Sequence, residues 1–305
     1  MRFDVTILGS SSATPIFNRN PTSQLVNFNE KLFLIDCGEG TQQQMLRYGI
    51  KAPKIDHIFI SHLHGDHYLG LVGLLSSLHL IGRTKPIHLY GPEELKEIIE
   101  VQFRHSQTSI RYELIYHFTH TRYPEIIFED SELTVGTIML SHRIPCTGFR
   151  FTEKRRLPKI IREKIDRYQI PVDYIPLIKK GHIYTDKTGR KFLPEELTTP
   201  ADEPRSYAYC SDTICNWEYM NEIRGVDLLY HEATFLHEML DRAEETFHTT
   251  ALQAAQVAEK AGARKLLIGH FSARYRELYP LRDEARTVFP ATELAIEGQT
   301  FPVGP

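Results

Sequence analysis

Five apolar runs in this chain each end on a histidine or an aspartate: "HIFISH" at His62, "TIMLSH" at His142, "YAYCSD" at Asp212, "DLLYH" at His231 and "LLIGH" at His270. Short runs of this composition are the pattern of buried strands, and the polar residue falls just past each strand's carboxyl end. A buried histidine often does no more than satisfy a hydrogen bond, which would explain one such ending. Five of them describe a sheet rim that gathers metal-binding or acid–base side chains.

Helical signals lie between the runs. Residues 41–49 start with Thr41 as a cap and stop at Gly49, residues 92–103 carry Pro92 in the first turn with acids behind it, and residues 249–262 are alanine-rich and stop at Gly262. The longest apolar stretch, 68–82, is 15 residues with two serines and a histidine, short for a membrane span and suited to a buried helix. Strands come first and then mix with helices in both halves, which predicts an α/β sandwich of two facing sheets with helices outside. The 305 residues, 41% apolar and 25% charged, suit one large globular domain, 1–305, with an arm inserted at 153–200. Four cysteines without a CxxC pair make no disulfide framework and fit reduced thiols in a cytoplasmic protein. The strand-like N-terminus carries Asp4 and is a poor signal peptide.

The arm differs in charge. Residues 153–191 hold twelve Lys/Arg against five acids, a net +7, so the remainder of a chain of net charge −3 stands at −10. Pro158, Pro171, Pro176 and Pro194, a helix-like stretch at 158–168 and a hairpin signal at "YTDKTGRKF" interrupt the pattern of strand endings between His142 and Asp212. A basic segment on an acidic body is either a grip for a polyanion or a solvated loop.

"SHLHGDH", residues 61–67, concentrates the chemistry. His62 and His64 face the same way in extended chain, while Gly65 lets the backbone turn and aims Asp66 and His67 at a second position. His142 completes the first cluster, His270 the second, and the Asp212 carboxylate can bridge them. Each ion keeps an open position, as in catalytic zinc. Imidazole and carboxylate without thiolate suit two Zn2+ per subunit, with manganese or iron as the alternative. Two such ions can hold a hydroxide and stabilise an attacked phosphoryl or carbonyl group. Asp36 in "FLIDCGEGTQ" is either the carboxylate that orients a ligand imidazole or a turn cap beside Gly38 and Gly40.

With these residues placed, the chain resembles the metallo-β-lactamase superfamily and, within it, the ribonuclease Z (tRNase Z) family. "SHLHGDH" and "DCGEGTQ" fit several branches of the superfamily; "HEAT" at 231–234, "HTT" at 248–250, "GHFSARY" at 269–275 and the loop "ILGSSSATPIFNRNPTS" at 7–23 are more specific. Thr249 stands where the family usually has Ser, and Ser211 where Gly is usual before the ligand Asp. The arm keeps "KKG" at 179–181, but no Gly-Pro element is recognisable in "QIPVDYIP". The resemblance implies a metallo-β-lactamase-type αββα sandwich and an endonuclease that removes the 3′ trailer from precursor tRNA, leaving a 3′-hydroxyl on the tRNA and a 5′-phosphate on the trailer. It implies Asp66 as base as well as ligand, His248 as general acid, Glu232 as the carboxylate that orients and charges it, and His231 behind the site. The plain alternative for His248 is an ordinary residue at a helix start. Arg274, Arg19, Lys179 and Lys180 would contact RNA phosphates, although either arginine could instead hold the structure. The basic arm would clamp the tRNA body through its backbone, in a homodimer where one subunit's arm serves the other's active site.

The rival enzyme is a small-molecule hydrolase of the same superfamily, such as a glyoxalase-II-like thioesterase. It would share the seven ligands but need neither the basic arm nor the Glu232–His248 pair. A metal-free RNA-binding member would show eroded ligands, and a structural zinc protein would show closed cysteine-rich sites; the sequence has neither feature.

Overall fold

The computed structural model describes residues 1–16 and 19–304; Phe17 and Asn18 of the N-terminal loop motif, and Pro305, lie outside the described residues. The chain forms two compact units, Met1–Glu129 with Thr134–Thr152 and Arg205–Pro305, and Asp130–Leu133 with Glu153–Pro204.

The larger unit is built on two seven-stranded sheets. The first runs, edge to edge, Thr300–Pro302, Phe3–Gly9, Ser23–Phe28, Lys31–Ile35, Ile55–Phe59, Ile87–Gly91 and Leu114–Phe118. The second runs Thr292–Leu294, Lys265–Gly269, Leu228–Glu232, Ser206–Cys210, Cys146–Glu153, Leu133–Leu140 and Ile126–Glu129. Ser23–Phe28, Ser206–Cys210 and Leu228–Glu232 are buried along their whole length, because sheet or helix covers both faces. That is why residues 207–210 and 228–230 read as unbroken apolar runs rather than alternating ones.

Aromatic rings fill the space between the sheets. Phe33 and Phe59 of the first meet Phe149 and Phe151 of the second edge-on, with centroids 5.3–5.6 Å apart. On the outer faces, Leu71–Leu80 buries Leu71, Leu74, Leu75 and Leu78, and Ala251–Ala261 buries its alanine stripe. The expected αββα layering is present. Ala251–Ala261 is framed by a reciprocal Thr250–Gln253 cap and by Gly262 at φ 64°. Two helix readings shift. Thr41 is the first helical residue rather than the cap, since its hydroxyl bonds back to the Gly38 carbonyl and Gly40 takes the cap at φ 83°. The stretch at 68–82 is only half buried: Leu69, Leu80 and Ile81 face outward. Among the described residues no helix is long and apolar enough to cross a membrane.

The topology creates the rim. Ser206–Cys210, Leu228–Glu232 and Lys265–Gly269 are parallel, as are Lys31–Ile35, Ile55–Phe59 and Ile87–Gly91. Parallel strands end on the same side, and the crevice outside their carboxyl ends is where such sheets take ligands.

The smaller unit has its own core of Ile165, Ile170, Ile178, Tyr184, Phe192 and Leu197. Its helix is shorter than expected, Arg162–Arg167, because Lys159–Ile160 pairs with Thr198–Thr199 instead of continuing the helix. The expected hairpin is Tyr184–Thr185 against Lys191–Phe192, its turn held by the Asp186 carboxylate. Arg190 lies over the rings of Tyr168 and Phe192.

Candidate metal centre and acid–base pair

All seven expected ligands meet in the larger unit. The chain leaves Ile55–Phe59 extended as far as His64 and turns at Gly65 into the short helix Gly65–Tyr68. Gly38 backs that turn, where a side chain would lie 2.4 Å from the Asp66 carbonyl oxygen. His62 Nε2 and His142 Nε2 each lie 3.1 Å from His64 Nδ1, and both face Asp212 Oδ2 at 3.7 and 3.8 Å. Asp212 Oδ1 turns the other way, 3.4 Å from His67 Nε2 and 3.2 Å from His270 Nε2. Asp66 Oδ2 closes that second group at 3.4 and 3.3 Å from the same nitrogens.

Donors held tetrahedrally at zinc-ligand distances lie about 3.3 Å from one another, which the second group matches. His67 Nε2 and Asp212 Oδ1 are buried with no hydrogen-bond partner, an expensive arrangement for polar atoms unless a cation takes their lone pairs. Burial opposes charge on His67, but Asp212, Asp66 and Asp36 outweigh it and raise the imidazole well above its ordinary range. Burial would likewise raise Asp66, yet His67 and His270 hold it well below the carboxylate range. The pocket therefore needs positive charge between its carboxylates, and the donor set fits a metal.

Each second ring nitrogen that is bonded also has a fixed partner, which sets the tautomer. His67 Nδ1 donates to Asp36 Oδ2 at 2.8 Å, His142 Nδ1 to the Phe247 carbonyl at 2.9 Å, and His270 Nδ1 to Thr234 Oγ1 at 3.0 Å. His62 Nδ1 lies 3.0 Å from Ser61 Oγ. Asp36 also accepts from Ser61 N, Ser61 Oγ and Tyr209 OH, so it is held in place to fix the His67 ring and is not a turn cap. Strained backbone concentrates here. Ala13, Asp36, Phe247 and His270 all have φ between 54° and 62°, a conformation costly for residues other than glycine. Ala13 N donates to Asp66 Oδ2, and the Phe247 carbonyl receives His142.

Glu232 ends its strand rather than following it. Its Oε1 accepts His248 Nδ1 at 2.9 Å and the amides of Thr213 and Thr249, and its Oε2 accepts Thr234 N and Oγ1. Burial alone would lower His248, but the charge and hydrogen bond of Glu232 raise it to about 9. Asp212, His248 and His270 also form a possible donor group, yet Glu232 already takes Nδ1 of His248. A cavity of about 310 Å³ opens in front, lined by Ala13, Glu39, Asp66, Arg143, Asp212 and His248 among others.

Other expected residues lie elsewhere. His231 holds the Tyr219 hydroxyl at 2.8 Å and the Glu232 carbonyl at 2.7 Å, so it supports the strand and not a ligand imidazole. Arg19 donates to the carbonyls of Tyr275 and Ser272, a structural role for that side chain. Arg274 lies over Phe235, 5.3 Å from the ring centre. Lys179 and Lys180 end the helix Ile175–Lys179 in the smaller unit. Sequence reasoning missed Ser61, Thr234 and Arg143. The first two are hydroxyl residues inside the quoted motifs, a usable signal; Arg143 follows a ligand and carries none.

A family described as Anti-Pycsar protein Apyc1 matches residues 3–109. Ribonuclease Z of Bacteroides fragilis is 48% identical over 296 residues, 97% of each chain. The crystal structure of the short form of human tRNase Z superposes with a TM-score of 0.73 at 27% identity, covering 99% of this chain and 100% of that one. The metallo-β-lactamase fold protein YhfI from Bacillus subtilis, 20% identical over 99% of both chains, gives 0.69 and shares the fold.

Proposed function

The chain belongs to the ribonuclease Z family, and we propose that it is the endoribonuclease that cuts the 3′ trailer from precursor tRNA, with two divalent cations, zinc by the chemistry of the donors. The observation that carries this reading is the Glu232–His248 pair beside the two donor clusters, an acid that the rival thioesterase would not need. Bound there, two such cations would supply Lewis-acid stabilisation of charge on the phosphoryl oxygens and make water a better nucleophile. Asp66, at the second donor cluster beside His67 and His270, is the residue that in this reading accepts the proton of the attacking water. Glu232 holds His248 protonated, and the Nε2 proton passes to the leaving 3′-oxygen, giving a tRNA 3′-hydroxyl and a trailer 5′-phosphate. In this reading Arg143 in the cavity wall and Arg274, which lies over Phe235, are the cations that meet phosphate. The basic arm, Lys179 and Lys180 included, grips the folded tRNA through its backbone.

The protein acts as a cytoplasmic homodimer in this reading. The four cysteines are free; Leu46 on Thr41–Arg47, and Leu80 and Ile81 at the end of Leu71–Leu80, are 75%, 79% and 63% exposed on two helices joined by the Ser77–Gln42 hydrogen bond, which supports this side as the one that meets a second copy. Leu80→Glu should halve the mass seen by light scattering; an unchanged mass places the interface elsewhere.

The test is cleavage of a 3′-extended precursor tRNA, with a small phosphodiester and a thioester in parallel. Wild type should cut after the discriminator base, lose activity with a chelator and regain it with Zn2+ or Mn2+. Deleting 155–192 should abolish the RNA cut and spare the small phosphodiester. Thioester hydrolysis without any RNA cleavage would hand the site to the small-molecule hydrolase.

A further inference from the structure

Ser211 precedes Asp212 and is 1% exposed. Its φ is not positive, so the backbone does not ask for glycine there. Its hydroxyl oxygen lies 3.1 Å from Ser61 Oγ and 3.4 Å from the Tyr209 hydroxyl. Ser61 Oγ in turn lies 2.8 Å from Asp36 Oδ2, 3.0 Å from His62 Nδ1 and 3.4 Å from His67 Nδ1. A serine hydroxyl has one proton and two lone pairs, and an ionised carboxylate only accepts. The Ser61 proton therefore goes to Asp36. Its lone pairs are left for two donors, the His62 Nδ1–H and the Ser211 hydroxyl. His67 Nδ1–H is already given to Asp36. In this arrangement both imidazoles keep a bare Nε2, His62 facing the first donor cluster and His67 the second.

We propose that Ser211 is a positioning residue which, acting through Ser61 and Asp36, fixes the imidazoles of both clusters from one buried node, so that the affinity for both cations depends on its hydroxyl. A chain of hydrogen bonds polarises each member and strengthens the next. Removing the outermost donor loosens Ser61, and with it His62 directly and His67 by way of the shared carboxylate. The inference rests on the two-cation reading of the site.

The experiment is a chelator-competition titration of Zn2+ into the metal-free full-length protein, with the Co2+ absorption spectrum as a second readout of ligand geometry. It compares wild type with S211A, S211G, S61A, S61T and the S61A/S211A double variant. Groups that orient metal ligands are typically worth roughly 10–100-fold in affinity, the loss expected for S61A at both positions. S211A and S211G, one bond further out, should each lose about 3–10-fold at both. The double variant should match S61A alone, because Ser211 acts through Ser61, and S61T should stay near wild type. Wild-type affinity and an unshifted Co2+ spectrum in S211A would overturn the proposal. So would a Ser211 effect that adds in full to that of S61A, or a loss in S211G that S211A does not share, since that pattern reports packing. Wild type binding fewer than two ions would instead overturn the two-cation reading itself.

Discussion

Asp212→Ala should empty both donor clusters at once. One carboxylate serves the two, Oδ2 facing His62 and His142 and Oδ1 facing His67 and His270. Its loss takes away the donor that, among the described residues, they have in common, and the negative charge between them. Paired cations are worth several kcal/mol of charge stabilisation, or roughly 10³–10⁴ in rate, so phosphodiester cleavage should fall by at least that factor on RNA and on small substrates alike. His142→Ala, which touches the first cluster alone, should keep close to one tightly held ion per chain. Stability gives an independent readout. A ligand at 100 times its Kd adds about 2.7 kcal/mol to the folded state, so Zn2+ should raise the wild-type Tm by several degrees and that of the Asp212→Ala protein hardly at all. Two ions per chain in that variant, measured by elemental analysis, would show that the carboxylate does not bridge.

What the sequence disclosed depended on whether a residue's role is set locally. The strand endings His62, His142, Asp212 and His270 were legible because apolar runs of four or five residues mark where a strand stops, and parallel strands stop on one side. The spacing of His62 and His64 was legible for the same reason. Roles that depend on a partner far along the chain were not. Ser61 reads as a plain residue until Asp36, 25 positions earlier, and Ser211, 150 later, are seen around it. His231 fits the strand-ending pattern as well as any ligand, and only the Tyr219 hydroxyl shows that it belongs to the strand's support. Arg19 likewise reads as a phosphate contact until the Tyr275 and Ser272 carbonyls are seen to hold it. The short strand Lys159–Ile160 was hidden because its partner Thr198–Thr199 lies at the far end of the arm, beyond any local periodicity. Strain was invisible as well: Asp and His are enriched at positive φ, but the preference is too weak to single out Asp36 and His270 among the other residues of their kind.

His248→Ala should separate substrates by their leaving group. The 3′-oxygen of RNA is a poor leaving group and must receive a proton as the bond breaks, whereas nitrophenolate leaves unaided. A positioned general acid contributes about 10²–10⁴-fold. That loss is expected in kcat on precursor tRNA, with a nitrophenyl phosphodiester cut at close to the wild-type rate. The pH profile identifies the group. His248 must be protonated to act, so activity on RNA should fall as pH rises through about 9, the value to which Glu232 lifts it against burial. Glu232→Gln removes the negative charge while keeping an oxygen for the Nδ1 proton. The pKa then drops, and the alkaline limb should move to lower pH, toward the ordinary imidazole range near 6.5. The direction is diagnostic: a group acting as a base would lose activity on the acid side, and the same substitution would extend its working range downward. An alkaline limb that stays in place in Glu232→Gln, or an equal loss on both substrates in His248→Ala, would take the acid's role away from this pair. Zn2+ affinity measured on the same variants keeps the two explanations apart. Thr234 receives His270 Nδ1 and donates to Glu232 Oε2, so a substitution at Glu232 can also reach the second donor cluster; only a limb that moves while Zn2+ affinity holds reports proton transfer itself.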